Sequence, residues 1–288
     1  MDDKMLKKLI EYTSSAAGFR QDMIEKDYYL TLILKDINSG LGENLIFKGG
    51  TCLNKIYYEY FRLSEDLDFT MKTPGANMNR KKRSLLMKGI KDNLEKYAAL
   101  LGLNIDKSVK PGKNENRQYV FYLEYPSVIS GSRGRIKLEI GIRGNPVLAP
   151  VKMEVKSIFN DPFTGKSIFG KGSILCLQLK EMAAEKFRAA ATREIPAPRD
   201  FYDLYYYIKK GFDFSSSEVL KLIDIKLEED GHGGRRKEYF QTFNKSKNEF
   251  EELESRVERE LFPVLREKDK RDFSLKKVFD HFRSINDK

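Results

Sequence analysis

Between Leu45 and Phe69 the chain runs from a short apolar segment, Leu45-Ile46-Phe47, through a Gly49-Gly50 pair into a helix-like stretch from Thr51 to Phe61. It then enters a second short strand around Leu67 and Phe69. Strand, glycine turn, helix and strand in so few residues leave little topological choice. Alternation along the second strand sends Leu67 and Phe69 into a core and puts Asp66 and Asp68 on the opposite face. Carboxylates held about 7 Å apart at their Cα atoms repel unless a cation lies between them, and hard oxygen donors suit Mg²⁺. Upstream, Gly49-Gly50 lets the backbone approach an incoming group, and Thr51 opens a helix whose free N–H groups attract phosphate. Taken alone, the glycines also read as a tight turn and the aspartates as a solvated strand edge. Their order and spacing point instead to one place for a metal and a triphosphate.

Helices precede this segment, because Leu6, Leu9, Ile10 and then Tyr29, Leu30, Ile33, Leu34, Ile37 recur at helical spacing before Asn38-Ser39-Gly40. After it, Met71 to Met78 reads as a loop. A helix follows with Leu86, Ile90, Leu94, Tyr97, Ala98 and Leu101 on one side and a solvent-facing basic start at Arg80–Arg83. From Leu103 to Lys156 the period falls to two, most clearly where Ile136, Leu138, Ile140, Ile142 alternate with Arg135, Lys137, Glu139, Arg143. Beyond Pro162 and the segment to Gly172 the pattern is helical, with helices over Leu177–Arg193 and Arg199–Lys210. The expected fold is α+β: a domain with a mixed sheet over 1–165, carrying N-terminal helices, then a helical domain over 166–288.

Composition narrows the chemistry. Among 288 residues, 53 Lys and Arg against 43 Asp and Glu leave a net charge of +10, which favours an anionic partner. The two cysteines and two histidines are too few for a disulfide framework or an ordinary zinc site. Cys52 and Cys176 fall in apolar surroundings and read as buried small residues. No apolar run is long enough to span a membrane and the start lacks a secretory apolar region, so a soluble cytoplasmic protein without a membrane partner is expected.

Gly-Gly-Thr, a helix and then Ser64-Glu65-Asp66-Leu67-Asp68-Phe69 resembles the nucleotidyltransferase superfamily with the DNA polymerase β fold. More narrowly, the chain looks like the AbiEii/AbiGii toxin family of bacterial abortive-infection and toxin–antitoxin systems. That resemblance rests also on Glu25-Lys26-Asp27-Tyr28-Tyr29, on Arg62 ahead of Ser64, and on Lys186 followed by Arg199-Asp200 and Asp203-Leu204, spanning about residues 24 to 208. It implies nucleotide transfer from an NTP to tRNA 3′ ends, which stops translation, and a neutralising partner of the winged-helix DNA-binding type. It implies Mg²⁺ (or Mn²⁺) on Asp66 and Asp68, with Lys48, Gly49, Gly50, Thr51 and Ser64 at the nucleotide phosphates. Lys186 would bind the triphosphate and Asp200 would complete the catalytic set, so that the helical domain contributes to the active site.

The same residues have plainer readings. Lys186 falls at the edge of an apolar stripe with Leu179, Met182, Ala183 and Ala190, where its stem can cover the core while its head reaches water. Asp200, after Pro196 and Pro198, suits the first turn of a helix by charge alone, and Asp203 is placed to orient Arg193 or Arg199. Glu139 on the polar strand face reads as a third carboxylate or general base, or as a salt-bridge partner of Lys137 or Arg135. Basic stretches at Arg80–Arg83, Lys107–Lys113 and Arg235–Lys237 are candidates for RNA phosphate contacts. The aromatics Phe201, Tyr202 and Tyr205–Tyr207 belong mostly to a core. Transfer to a protein hydroxyl and a catalytically silent nucleic-acid-binding module are the competing functions.

Overall fold

The computed structural model of the chain describes residues 1–74, 78–142 and 144–286. Two compact units divide it, Met1–Leu177 and Gln178–Lys288. The sequence pattern alone places that line at 165. The division falls later because the strand Ser173–Cys176 pairs back into the sheet of the first unit, a long-range partnership that composition does not reveal.

In the first unit two helices, α1 (Asp3–Ala17) and α2 (Gln21–Leu41), precede β1 (Leu45–Lys48). A four-residue turn of helix, α3 (Gly49–Cys52), and a π turn over Leu53–Tyr57 lead into β2 (Asp66–Met71). Helices α4 (Arg80–Leu86) and α5 (Lys88–Leu100) come next. The short strands β3 (Asn104–Ile105) and β4 (Gly112–Lys113) lead to the long hairpin of β5 (Gln118–Pro126) and β6 (Arg133–Gly141). Strands β7 (Val151–Glu154) and β8 (Ser173–Cys176) complete an eight-stranded sheet ordered β3-β5-β6-β2-β1-β8-β7, with β4 paired to β5. The fold is α+β, as expected. Phe47, Leu67, Phe69, Leu138 and Ile140 fill the core face, and none of them is more than 1% exposed.

Two local expectations change. The helix foreseen over Thr51–Phe61 starts at Gly49, loosens into the π turn and ends where Glu59 and Tyr60 take positive φ values of 47° and 61°. That path buries the Lys55 ammonium against Asp27 of α2, a demand that hydrophobic spacing cannot encode. Along the basic start of α4, Arg83 turns inward: it is buried, with its guanidinium donating to the Glu115 and Met78 carbonyl oxygens. Arg143 and positions 75–77 of the foreseen loop lie outside the described residues.

The second unit is helical: α6 (Leu179–Thr192), α7 (Pro198–Lys209), α8 (Ser217–Glu229), α9 (Arg236–Gln241), α10 (Lys247–Ser255), α11 (Val257–Glu260), α12 (Glu267–Asp272) and α13 (Leu275–Asn286). Its centre is aromatic. Phe187 of α6 lies 4.6 Å from Phe240 of α9 between ring centroids, Phe243 lies 4.6 Å from Phe282 of α13, and Phe201 of α7 stacks on Phe279 at 5.4 Å. Phe201, Tyr202, Tyr205 and Tyr207 are buried, which makes them core and not base-stacking surface.

Candidate active site

Register builds the polar face of the sheet. In the antiparallel β1–β2 pair Lys48 stands opposite Asp68, and in the parallel β2–β6 pair Asp66 stands opposite Lys137 and Asp68 opposite Glu139. Directly paired residues point to the same side of a sheet, so Lys48, Asp66, Asp68, Lys137 and Glu139 share one face. Two cations and three carboxylates are thereby gathered from residues as far apart in the chain as Lys48 and Glu139.

The glycine pair earns its place by contact. Gly49 has φ +77°, and a Cβ there would lie 2.3 Å from Asp68 Oδ2. A Cβ on Gly50 would lie 2.6 Å from Arg62 Nη2 and 3.0 Å from Ser64 Oγ. Glycine turn and aspartate strand therefore interlock: the first can hold no side chain because the second occupies that space. Gly49→Ala is expected to destabilise the protein by about 1–3 kcal/mol, because it strains a left-handed backbone and displaces Asp68. Denaturant unfolding of the variant beside the native protein checks this.

Thr51 serves the scaffold. It is fully buried, and its hydroxyl donates to the Asp66 carbonyl oxygen, tying α3 to β2. Ser64, by contrast, is only half-buried at the edge of the carboxylate strand. The string Glu25-Lys26-Asp27 supports the same region from α2. Glu25 accepts from the Ser127 hydroxyl and the Val128 N–H at the β5–β6 turn, Lys26 pairs with Glu65 at 3.0 Å, and Asp27 pairs with Lys55 at 2.8 Å. The sequence marks this string through the family resemblance, but its partners on other elements leave no trace in the string itself.

Electrostatics mark Asp68. Burial first, then the charges of Glu139 and Asp66, raise its pKa to about 6 against the partial relief of Lys48 and Lys137. Lys137 is pulled above the ordinary lysine value: burial opposes its charge, but the hydrogen bond to Glu139 and the attraction of Glu139, Asp66 and Asp68 prevail. Glu139 Oε2 lies 2.7 Å from Lys137 Nζ, so the salt bridge expected of it is formed, within its own strand. Among the described residues no group of three His, Cys, Asp or Glu side chains is already converged to hold a metal ion. Two oxygen-bearing aspartates on one face, one of them disfavoured as an anion by its neighbours, nevertheless fit a hard divalent cation that takes its remaining ligands from phosphate and water.

In the second unit α6 and α7 bring Lys186 to the two aspartates of α7. Its Nζ lies 2.7 Å from Asp203 Oδ2 and 3.3 Å from Asp200 Oδ1, and Arg193 Nε lies 3.2 Å from Asp200 Oδ2. Asp203, placed by the sequence to orient Arg193 or Arg199, also holds Lys186, and Asp200 pairs with Arg193. Lys186 is thus anchored at a helix interface and not merely trailing its head into water. Pro198 at the start of α7 sets Asp200 in the first turn, as the sequence suggested. Of the basic stretches, Arg235 pairs with Glu238, Arg236 with Asp224 and Lys107 with Glu95, so part of that charge is already answered within the chain. Cys52 and Cys176 are both buried thiols, as foreseen.

Among solved structures the chain is similar to MenT4, a nucleotidyltransferase toxin from Mycobacterium tuberculosis H37Rv, with 17% identity over 99% of each chain and a TM-score of 0.54. It is also similar to a candidate nucleotidyltransferase from H. pylori (16% identity, 93% of this chain and 95% of that one, TM-score 0.51). JHP933 from Helicobacter pylori is a third (15% identity, 93% and 92%, TM-score 0.50). Likeness at this identity is likeness of fold. No curated protein matches the sequence. The family model described as nucleotidyl transferase AbiEii toxin, Type IV TA system, matches residues 32–282, a span that takes in the glycine turn, both sheet aspartates, Glu139, Lys186 and Asp200. The chain therefore belongs to the AbiEii nucleotidyltransferase toxin family of type IV toxin–antitoxin systems.

Proposed function

We propose that this nucleotidyltransferase toxin transfers a nucleotide from an NTP to the 3′ end of tRNA with Mg²⁺, and that a winged-helix DNA-binding antitoxin restrains it in the cytoplasm. Family membership makes it a nucleotidyltransferase toxin with an NTP substrate and an antitoxin partner. No described helix is long and apolar enough to cross a membrane. The observation that carries the chemistry is the shared sheet face of Asp66, Asp68 and Glu139, set by the β2–β6 register, with Gly49 packed against Asp68.

In the proposed reaction the 3′-hydroxyl oxygen of the acceptor forms a bond to the α-phosphorus. The bond from that phosphorus to the bridging oxygen breaks, pyrophosphate leaves, and Glu139 takes the hydroxyl proton. A bound divalent ion supplies charge neutralisation at the reacting phosphate. Asp66 and Asp68 are assigned to that ion. Lys48, Ser64 and the backbone at Gly49, Gly50 and Thr51 are assigned to the phosphates, the Thr51 hydroxyl being spent on Asp66. Lys186 is assigned to the triphosphate and Asp200 to the catalytic set, held by Arg193 and Lys186. The net charge of +10 suits a polyanionic acceptor.

Incubating the purified protein with each labelled NTP, Mg²⁺ and total tRNA tests this reading. Label is expected in nuclease-sensitive RNA, and Lys186→Ala is expected to lower its rate at least about 100-fold, as loss of a phosphate-binding charge does. Label that migrates with protein and resists nuclease would replace tRNA by a protein hydroxyl as the acceptor. Full activity of Lys186→Ala would remove that residue from the site.

A further inference from the structure

Lys137 is the residue on the carboxylate face for which the reaction has no use. It stands opposite Asp66 in the β2–β6 register, and its Nζ lies 2.7 Å from Glu139 Oε2, the carboxylate that stands opposite Asp68. Spacing of two along β6 puts Lys137 and Glu139 on one side by necessity, so no rotation of the backbone can separate the ammonium from the three acids. Its side chain is 32% exposed and that of Glu139 is 24% exposed, so this ion pair is open to entering ions and is not sealed in a core.

An ammonium in this position does electrostatically what a divalent cation would do, at half the charge. It reduces the repulsion among Asp66, Asp68 and Glu139 and occupies one of the oxygens on which a metal or a hydroxyl proton would depend. From this juxtaposition we infer that Lys137 is a resident counter-cation: it holds Glu139 in the resting protein and competes with the metal ion for the carboxylate face. The inference rests on the assignment of Asp66 and Asp68 to the metal. Its consequence is ordered loading. Metal alone binds weakly because it must enter beside a fixed positive charge, whereas metal carried by a triphosphate brings negative charge of its own and releases Glu139 from Lys137 for the incoming hydroxyl. A toxin so built stays idle in the presence of free metal until a nucleotide arrives.

The whole chain, free of nucleotide, is titrated with Mn²⁺ and free Mn²⁺ is followed by electron paramagnetic resonance, alongside thermal melting with and without Mn²⁺. Lys137→Met keeps the side-chain volume and is expected to bind Mn²⁺ about tenfold more tightly than the native protein, the scale of one charge removed at a few ångströms in a partly solvated site. The same variant is expected to melt lower without metal and to show the larger Mn²⁺-induced rise. Lys137→Arg, which retains the charge, is expected to keep the native Mn²⁺ affinity, a rescue that a purely structural role would not require. Equal or weaker Mn²⁺ binding by Lys137→Met, while Asp66→Asn abolishes binding, overturns the counter-cation role and leaves the metal assignment standing. Unchanged binding in both Asp66→Asn and Asp68→Asn overturns the metal assignment and this inference with it.

Discussion

Asp68→Asn is expected to make the metal-free protein more stable near neutral pH and, with metal and NTP supplied, to abolish nucleotide transfer. The two effects share one cause. The carboxyl titrates at about 6 in the folded chain because of burial and the neighbouring charges of Glu139 and Asp66, against 3.8 for the ordinary group. Between these values the folded state binds the proton and the unfolded state does not, so stability falls as pH rises through that window, and the loss is complete above about 6. A shift of this size corresponds to about 1–3 kcal/mol after allowance for the partial solvent access of the residue. Asparagine removes the charge. Its unfolding midpoint in denaturant should therefore exceed that of the native protein at pH 7.5, match it at pH 4, and lose the intervening slope. With Asp66 and Asp68 assigned to the metal as proposed, catalysis runs the other way, because phosphoryl transfer depends on neutralising developing charge with that ion, and turnover should drop by at least about 10³-fold. An Asp68→Asn protein that is less stable than the native one at pH 7.5 would mean that Asp68 is not held under electrostatic strain.

How far the site could be read in advance follows from the range of the interactions that make it. Asp66 and Asp68 were legible because strand alternation is local, and Gly49 because tight backbone approach leaves a compositional trace. Helices α1, α2, α6 and α7 and the β6 strand were legible for the same reason: each carries its period within its own residues. The partners were not. That Glu139 faces Asp68, and Lys137 faces Asp66, depends on a parallel pairing across some seventy residues, and register of that kind is fixed by packing and not by either strand alone. The basic neighbours of Arg83 suggest a solvent-facing side chain, and it is instead buried on the carbonyl oxygens of Met78 and Glu115. Helical spacing offers Asp203 an arginine partner, and it does not show that Lys186 arrives from another helix at 2.7 Å. In each case the missing information is which group arrives from elsewhere in the chain.

The largest purely structural effect is expected from Lys55→Met. Lys55 is completely buried, and its ammonium spends its three N–H groups on Asp27 Oδ2 at 2.9 Å, Thr31 Oγ1 at 2.7 Å and the Tyr60 hydroxyl at 2.9 Å. The two hydroxyl acceptors donate in turn: Thr31 to the Asp27 carbonyl oxygen at 2.7 Å and Tyr60 to the Lys156 carbonyl oxygen at 3.0 Å. Burial pushes Asp27 up and Lys55 down, each toward its neutral form, and their contact opposes both shifts. Such a pair adds little over an apolar replacement of the same shape, but removing one member strands the other charge where water cannot reach it. Lys55→Met should therefore cost about 3–5 kcal/mol, whereas Lys55→Met combined with Asp27→Leu should return to within about 1–2 kcal/mol of the native protein. Denaturant unfolding of the four proteins of this cycle measures the coupling, and a Lys55→Met cost below about 1 kcal/mol would show that the Asp27 charge is not stranded. The pair also bears on catalysis through distance along the chain. Lys55 fixes the π turn that begins one residue after α3, and α3 carries Gly49 and Gly50 against Asp68, Arg62 and Ser64. Stabilising the double variant restores the fold energy without restoring that anchor, so its transfer rate should recover less than its stability does.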